Sequence, residues 1–265
     1  MKYFLAMCST VKNEAIYLDE WIAYHTLRGF EHFYIHDDAS SDDTMRILKK
    51  WESKGLVTIF DGFRKPTVAP QVPFYDFISK EKRNESEWCA FFDVDEFYCS
   101  DKNANDLLRG FEPEVSEMMV SWCFFGSNGL TEYDNRLVIE RFLMRSLETF
   151  AMNRSRKVMA RLSKCEKCVL DNLFEKSEGM SLDSSGNILH EPGKLPMRGE
   201  WGLCRLNHYA IKSVEEFGKK ARNGRANRTG LGLLGYDFNS RDKNDVRDDS
   251  MLIWADAVKG LINKA

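Results

Sequence analysis

The 265-residue chain lacks a surplus of either charge: 38 basic residues stand against 41 acidic ones, a formal net charge of -3. Without excess positive charge there is no general hold on a phosphate backbone, which argues against a nucleic-acid binder. No uncharged apolar run approaches the ~18 residues needed to span a bilayer. Met1-Lys2-Tyr3 leads directly into an apolar segment with no signal-peptide cleavage pattern. These absences predict a soluble protein. The 7 cysteines are an odd number and scattered. Cys165 and Cys168 form a C-x-x-C, but a zinc site would need a second pair, so free thiols in a reducing compartment are expected. What is present is 43% hydrophobic and 30% charged residues, the mixture of one large globular domain or of one domain with a small appendage.

Hydrophobic periodicity predicts the first half. Tyr3 to Val11 is a β-prone run, and Leu18, Trp21, Ile22 and His25 follow at helical spacing with Gly29 placed to end the helix. Phe33 to His36 reads as a strand, and Thr44, Ile47, Leu48 and Trp51 as a helix closed by Gly55. Leu56 to Phe60 is a third strand. After Pro66, Pro70 and Pro73, a helix around Tyr75 to Arg83 leads to the strand Trp88 to Phe92. Alternating strands and helices predict a mostly parallel α/β sheet flanked by helices. In such sheets ligands gather at the carboxyl ends of the strands, where Lys12-Asn13-Glu14, Asp37-Asp38 and Asp93-Val94-Asp95-Glu96 fall. The second half is less regular. Glu117 to Cys123 and Lys157 to Leu162 read as strands, Asp171 to Gly202 as long functional loops or a lid, and Arg205 to Tyr209 as renewed order. Ser213 with Glu216 is a capping box that starts a helix, and the tail from Met251 has helical spacing.

Asp93-Val94-Asp95 after a buried strand is expected to be extended, which puts both carboxylates on one side. Paired oxygens suit Mg²⁺ or Mn²⁺ carrying a diphosphate; the competing reading is an exposed loop. Asp37 to Asp43 is no EF-hand, because a count from Asp38 puts Asp43 at the position needing glycine and Lys49 at that needing glutamate. The basic stretch Lys219, Lys220, Arg222, Arg225 and Arg228 is either a solvated helix face or a grip on the diphosphate or an anionic acceptor.

The ordered motifs V-K-N-E followed by W-I-x-Y-H, F-Y-I-H-D-D-A-S-S-D-D-T, W-C-A-F-F-D-V-D-E-F, W-C-F-F-G-S-N-G, and L-N-H-Y-A-I-K-S-V-E-E-F with R-N-G closely resemble glycosyltransferase family 92 proteins and related family-2-like transferases, over residues 1 to about 225. The resemblance implies a GT-A type, Rossmann-like single domain over 1–265. Within it, 1–100 would be the nucleotide-sugar-binding half, 101–225 an irregular acceptor-binding half and 226–265 a helical tail. By similarity, Asn13, Glu14 and Asp37 line the nucleoside pocket, and Asp93 and Asp95 meet ribose, metal and diphosphate. His208 is the third metal ligand or a core histidine. Trp122, Phe125 and Gly126 form the sugar and acceptor end or pack in the core. Gln71 and Tyr75 match the family pattern without a role.

The resemblance further implies inverting transfer of a hexose, with galactose as its suggestion, from a UDP-sugar with Mn²⁺ or Mg²⁺. The acceptor would be a glycan or a lipid-linked hydroxyl in surface polysaccharide or lipooligosaccharide synthesis. A carboxylate must serve as general base; Glu200 is the first choice and Asp171 the second. The expected setting is bacterial and cytoplasmic, with peripheral contact at the inner face of the membrane where the acceptor is lipid-linked. Two alternatives stand beside it. A nucleotidyltransferase would want a glycine-rich phosphate loop after the first strand, and Ser9 to Glu14 has no glycine. A non-catalytic nucleotide-sugar-binding module is separated only by turnover.

Overall fold

The computed structural model describes residues 1–64, 69–170, 173–223 and 237–265. Its first half alternates strand and helix: β1 (Tyr3–Val11), α1 (Ala15–Leu27), β2 (His32–Asp37), α2 (Thr44–Ser53), β3 (Val57–Phe60), α3 (Gln71–Glu81) and β4 (Ser86–Phe91). A second, mixed half adds β5 (Glu96–Cys99), α4 (Ala104–Arg109), β6 (Val115–Phe124), α5 (Val138–Arg141), β7 (Met144–Arg145) and β8 (Arg156–Arg161). Beyond these come β9 (Cys165–Leu170), β10 (Leu173–Lys176), β11 (Met180–Asp183), β12 (Ile188–Leu189) and β13 (Arg205–His208). The chain ends with α6 (Val214–Asn223), α7 (Phe238–Arg241), β14 (Val246–Arg247) and α8 (Ala255–Lys264).

The main sheet runs β12-β11-β6-β8-β4-β1-β2-β3, with β13 and β5 joined to it through β6. Strands β1 to β4 are mutually parallel, as the alternating pattern predicts and as a GT-A type organisation requires. The antiparallel β8 then lies between β4 and β6. One face is covered by α1, α2, α4 and α8, whose buried Leu18, Trp21, Leu48, Trp51, Leu107 and Val258 share one core with Met7, Ile35 and Met159 of the sheet. The opposite face carries α3 and the β9–β10 hairpin, packed through Phe74, Ile78, Cys165 and Cys168. All seven cysteines are free thiols.

Two departures from the sequence reading have local causes. Helix α3 begins at Gln71, before the expected Tyr75, because Pro73 lies in its first turn, where a missing N–H costs nothing. The expected loop from Asp171 to Gly202 contains β10, β11 and β12, and β11 extends the main sheet parallel to β6. These strands are short and partly polar, so they carry little periodic signal. Among the described residues no helix is long and apolar enough to cross a membrane.

Candidate functional site

At the end of β4 the chain turns sharply instead of running on. Glu96 N donates to the Asp93 carbonyl at 3.0 Å, and Glu96 Oε2 accepts from Asp93 N at 2.9 Å. The extended D-x-D expected from the sequence is therefore a turn, which gives the two aspartates different neighbours. Asp93 accepts from Gln71 Nε2 at 3.2 Å and from Lys157 Nζ at 2.8 Å. Asp95 pairs with Lys220 through Oδ2 and faces His208 Nε2 at 3.6 Å through Oδ1. Gln71, which had no role at the sequence level, thus holds Asp93, whereas Tyr75 lies wholly in the core against Phe91.

The same turn starts β5, and this brings Glu96 into the group. Trp21 Nε1 and Tyr24 OH, both from α1, donate to the carbonyls of Glu96 and Tyr98 at 2.9 and 2.7 Å and pin the strand. β5 is antiparallel to β13 with Glu96 opposite His208, and Tyr209 N donates to the Asp95 carbonyl at 2.8 Å. One ligand atom each from Asp95, Glu96 and His208 lies within 4.8 Å of the others. Two carboxylates and an imidazole are a donor set for a divalent cation. Glu96 Oε1 is buried without a hydrogen-bond donor among the described residues, with Lys157 Nζ 3.8 Å away. The geometry thus brings Asp95 and His208 together with Glu96, while Asp93, expected as a ligand, is occupied by Lys157 and Gln71.

Electrostatics follow from burial and the lysines. Burial alone would raise the Asp95 carboxyl, but Lys220 and His208 hold it well below the usual range. Burial pushes Glu96 well up against the pull of Lys157, and keeps His208 neutral-leaning against the pull of Asp95. A neutral imidazole is the form that ligates metal. Its ring packs against Trp122 at 4.1 Å and Phe124 at 5.3 Å between centroids.

The ends of β1 and β2 lie side by side, with Val11 opposite Asp37. Asn13 adopts φ 54°, and its Oδ1 accepts from Ser41 N at 2.7 Å, tying the two loops together. Glu14 N donates to Thr44 Oγ1 at 2.9 Å. Its carboxyl is pushed up to about 7 by desolvation, against the lowering effect of Lys212 and Lys220. Asp37 Oδ2 accepts from Ser40 N at 3.2 Å, whereas Oδ1 is buried without a partner among the described residues. Asp38 is taken by Arg64 and Lys12.

The other expected residues fall elsewhere. Phe125 is 1% exposed and packs tilted against Tyr209 at 4.7 Å between centroids, so it lies in the core rather than offering a face to a sugar. Gly126 is roofed by Lys243 and Asn244; a β-carbon there would collide with both, and its role is to let that segment close. Trp122 is only partly buried and borders His208. Glu200 pairs with Arg156 at 2.6 Å and is not among the side chains around Asp93 and Asp95. Alternation along β8 points Arg156 and Lys157 to opposite faces. Asp171, Arg225 and Arg228 lie outside the described residues. Lys219 is exposed and pairs with Glu215 at 2.7 Å, a solvated face, whereas its neighbour Lys220 turns into the site.

Sequence reasoning missed Lys157, Lys212 and Arg64, and named Glu96 without making it a ligand. Lys157 sits at the start of an apolar strand, and its charge there was the available signal, since a buried lysine needs a carboxylate. Lys212, 4% exposed and at φ 55°, places its ammonium 4.1 Å from the Tyr17 ring centre.

Comparison with known proteins agrees with the motifs. A glycosyltransferase family 92 protein of Oryza sativa subsp. japonica is 23% identical over 222 residues, 82% of this chain and 35% of its own. Another from Ricinus communis is 30% identical over 109 residues, 41% of this chain and 18% of its own. The chain thus spans about a third or less of these relatives' lengths. Among solved structures, Staphylococcus aureus TarS 1–349 in complex with UDP aligns at TM-score 0.39 and 14% identity, covering 60% of this chain and 47% of that one. The sequence profile of glycosyltransferase family 92 matches residues 3–191, and the chain belongs to that family.

Proposed function

We propose that the protein is a metal-dependent, inverting hexosyltransferase. It moves a hexose, galactose being the first to test, from a UDP-sugar to a hydroxyl of a glycan or lipid-linked acceptor in surface polysaccharide or lipooligosaccharide synthesis. The reading places it in the cytoplasm, in peripheral contact with the inner face of the membrane. Family membership supports glycosyl transfer. The observation that carries the reading is the grouping of Asp95, Glu96 and His208 within 4.8 Å at the strand ends that also carry Asp37 and Glu14.

In this reading Asp37 Oδ1, which has no donor among the described residues, accepts from the nucleobase or ribose. Asp95, Glu96 and His208 would hold Mn²⁺ or Mg²⁺, with Asp93 alongside on Lys157. The cation supplies positive charge for the diphosphate leaving group. Trp122 borders the sugar, and the packing of β5 and β13 keeps the carboxylates oriented without reorganisation. The acceptor hydroxyl needs a carboxylate to take its proton as it attacks the anomeric carbon. Arg156 holds Glu200 away from Asp93 and Asp95, so Asp171, the second choice, is the carboxylate proposed for this step.

Calorimetric titration of UDP with and without Mn²⁺, on wild type and Asp95→Asn, tests the donor site. Metal-dependent micromolar binding lost in the variant supports the reading and opens a screen of UDP-hexoses for UDP release. No UDP binding by folded wild type, with or without metal, removes it. Binding without turnover on any donor and acceptor favours the non-catalytic module.

A further inference from the structure

Asp95 has two carboxylate oxygens, and both already have a neighbour. Oδ1 faces His208 Nε2, and Oδ2 is paired with the ammonium of Lys220, which also reaches the Ala210 carbonyl at 3.4 Å. Lys157 stands 3.8 Å from Glu96 Oε1. The protein therefore carries its own cations where a divalent cation would bind. The two lysines differ in freedom. The Lys157 side chain is 3% exposed, enclosed by Asp93 and Glu96. That of Lys220 is 33% exposed and extends from a helix whose start is anchored separately by Ser213 and Glu216. Its flexible four-carbon stem lets the ammonium move while α6 stays in place.

Resting on the metal-dependent reading of this site, we infer that Lys220 is a positioning residue that exchanges anions. In the empty protein it is the counter-cation of Asp95; a divalent cation displaces it, and the released ammonium turns to the diphosphate of the donor. The physical reason is that an ammonium and a divalent cation repel when crowded on one carboxylate, and a new anion next to the site gives the displaced charge a partner. Lys212 reinforces this: its ammonium, over Tyr17, has the two acids Glu14 and Asp95 as favourable neighbours and is repelled by Lys220. The local field thus drives Lys220 outward once Asp95 is taken.

The test is calorimetric Mn²⁺ titration of the full chain without nucleotide, then UDP titration at saturating Mn²⁺. Wild type, Lys220→Met, Lys220→Arg and the remote charge control Lys259→Met are compared. The exchange predicts opposite signs: Lys220→Met binds Mn²⁺ about fivefold more tightly and UDP about fivefold more weakly, the upper size of a part-exposed ion pair. Lys220→Arg and Lys259→Met stay near wild type for Mn²⁺. General damage to the fold would weaken both ligands together and would overturn the inference. Equal or weaker Mn²⁺ binding by Lys220→Met overturns it alone. Absence of Mn²⁺ binding in all four proteins overturns it together with the metal-dependent reading, while metal-free UDP binding by wild type would leave the donor assignment standing.

Discussion

Glu96 and His208 stand directly opposite one another across the antiparallel pair of β5 and β13. Neither lies near the other in sequence; the pairing of two four-residue strands brings His208 to the adjacent Asp95 and Glu96. If this trio holds a divalent cation, His208→Ala lowers Mn²⁺ affinity by about 10- to 100-fold, the usual range for disturbing a metal's surroundings. Titration calorimetry checks this, and unchanged affinity would place the cation elsewhere.

His25 supplies a pH-dependent contribution to stability. Its Nε2 accepts from Tyr98 N at 3.2 Å, so Nδ1 carries the proton donated to the Trp21 carbonyl at 2.9 Å. Burial lowers its pKa from 6.5 to about 3. Between these values the unfolded chain binds a proton that the folded one refuses. Stability from this residue is therefore full above pH 6.5 and is lost as pH falls toward 3, at ~1.4 kcal/mol per pH unit. Urea unfolding at pH 7 and pH 5 should show wild type losing more stability than His25→Gln; parallel losses would assign the effect to other groups.

Glu216 anchors a buried polar knot. It accepts from Arg141 at 2.8 and 3.0 Å, from Tyr17 OH at 2.9 Å and from Ser213 Oγ at 2.6 Å. Glu216→Ala strands the buried Arg141 guanidinium and should cost ~3–5 kcal/mol. Ser213→Ala removes the cap and one neutral donor to Glu216 but leaves the Arg141 pair, and should cost less, ~1–2 kcal/mol. Chemical denaturation of the two variants measures the ratio, and similar losses would mean that Arg141 finds water or another acceptor.

Gly29 ends α1 at φ +89°, and a β-carbon there would sit 2.5 Å from Asn105 Oδ1. Gly55 ends the next helix at φ +76° with nothing within 4 Å. Gly55→Ala should therefore cost only backbone strain, ~1 kcal/mol, and Gly29→Ala clearly more. Equal melting temperatures for the two variants would show that Asn105 moves aside freely.

Much of the first half was legible because its signals are local. Thr44, Ile47, Leu48 and Trp51 are the buried face of α2, as their spacing predicts. The capping box appears as drawn, with Ser213 N donating to Glu216 Oε2 at 3.1 Å and Glu216 N to Ser213 Oγ at 3.2 Å. The Asp93-Asp95 segment was misread as extended because a strand pattern does not announce the turn that follows it. Phe125 and Gly126 look like a binding surface in one dimension and become core and close approach in three.

The sequence by itself determined the alternation of strands and helices, the parallel order of the first four strands, and the acids at their carboxyl ends. Periodicity, caps and chain direction are properties of neighbouring residues. Only the tertiary structure decided which charges meet: Lys157 with Asp93, Lys220 with Asp95, His208 with Glu96. These pairings depend on strand register and on the placement of α6, which are set by the burial of distant apolar faces against one another rather than by any local rule.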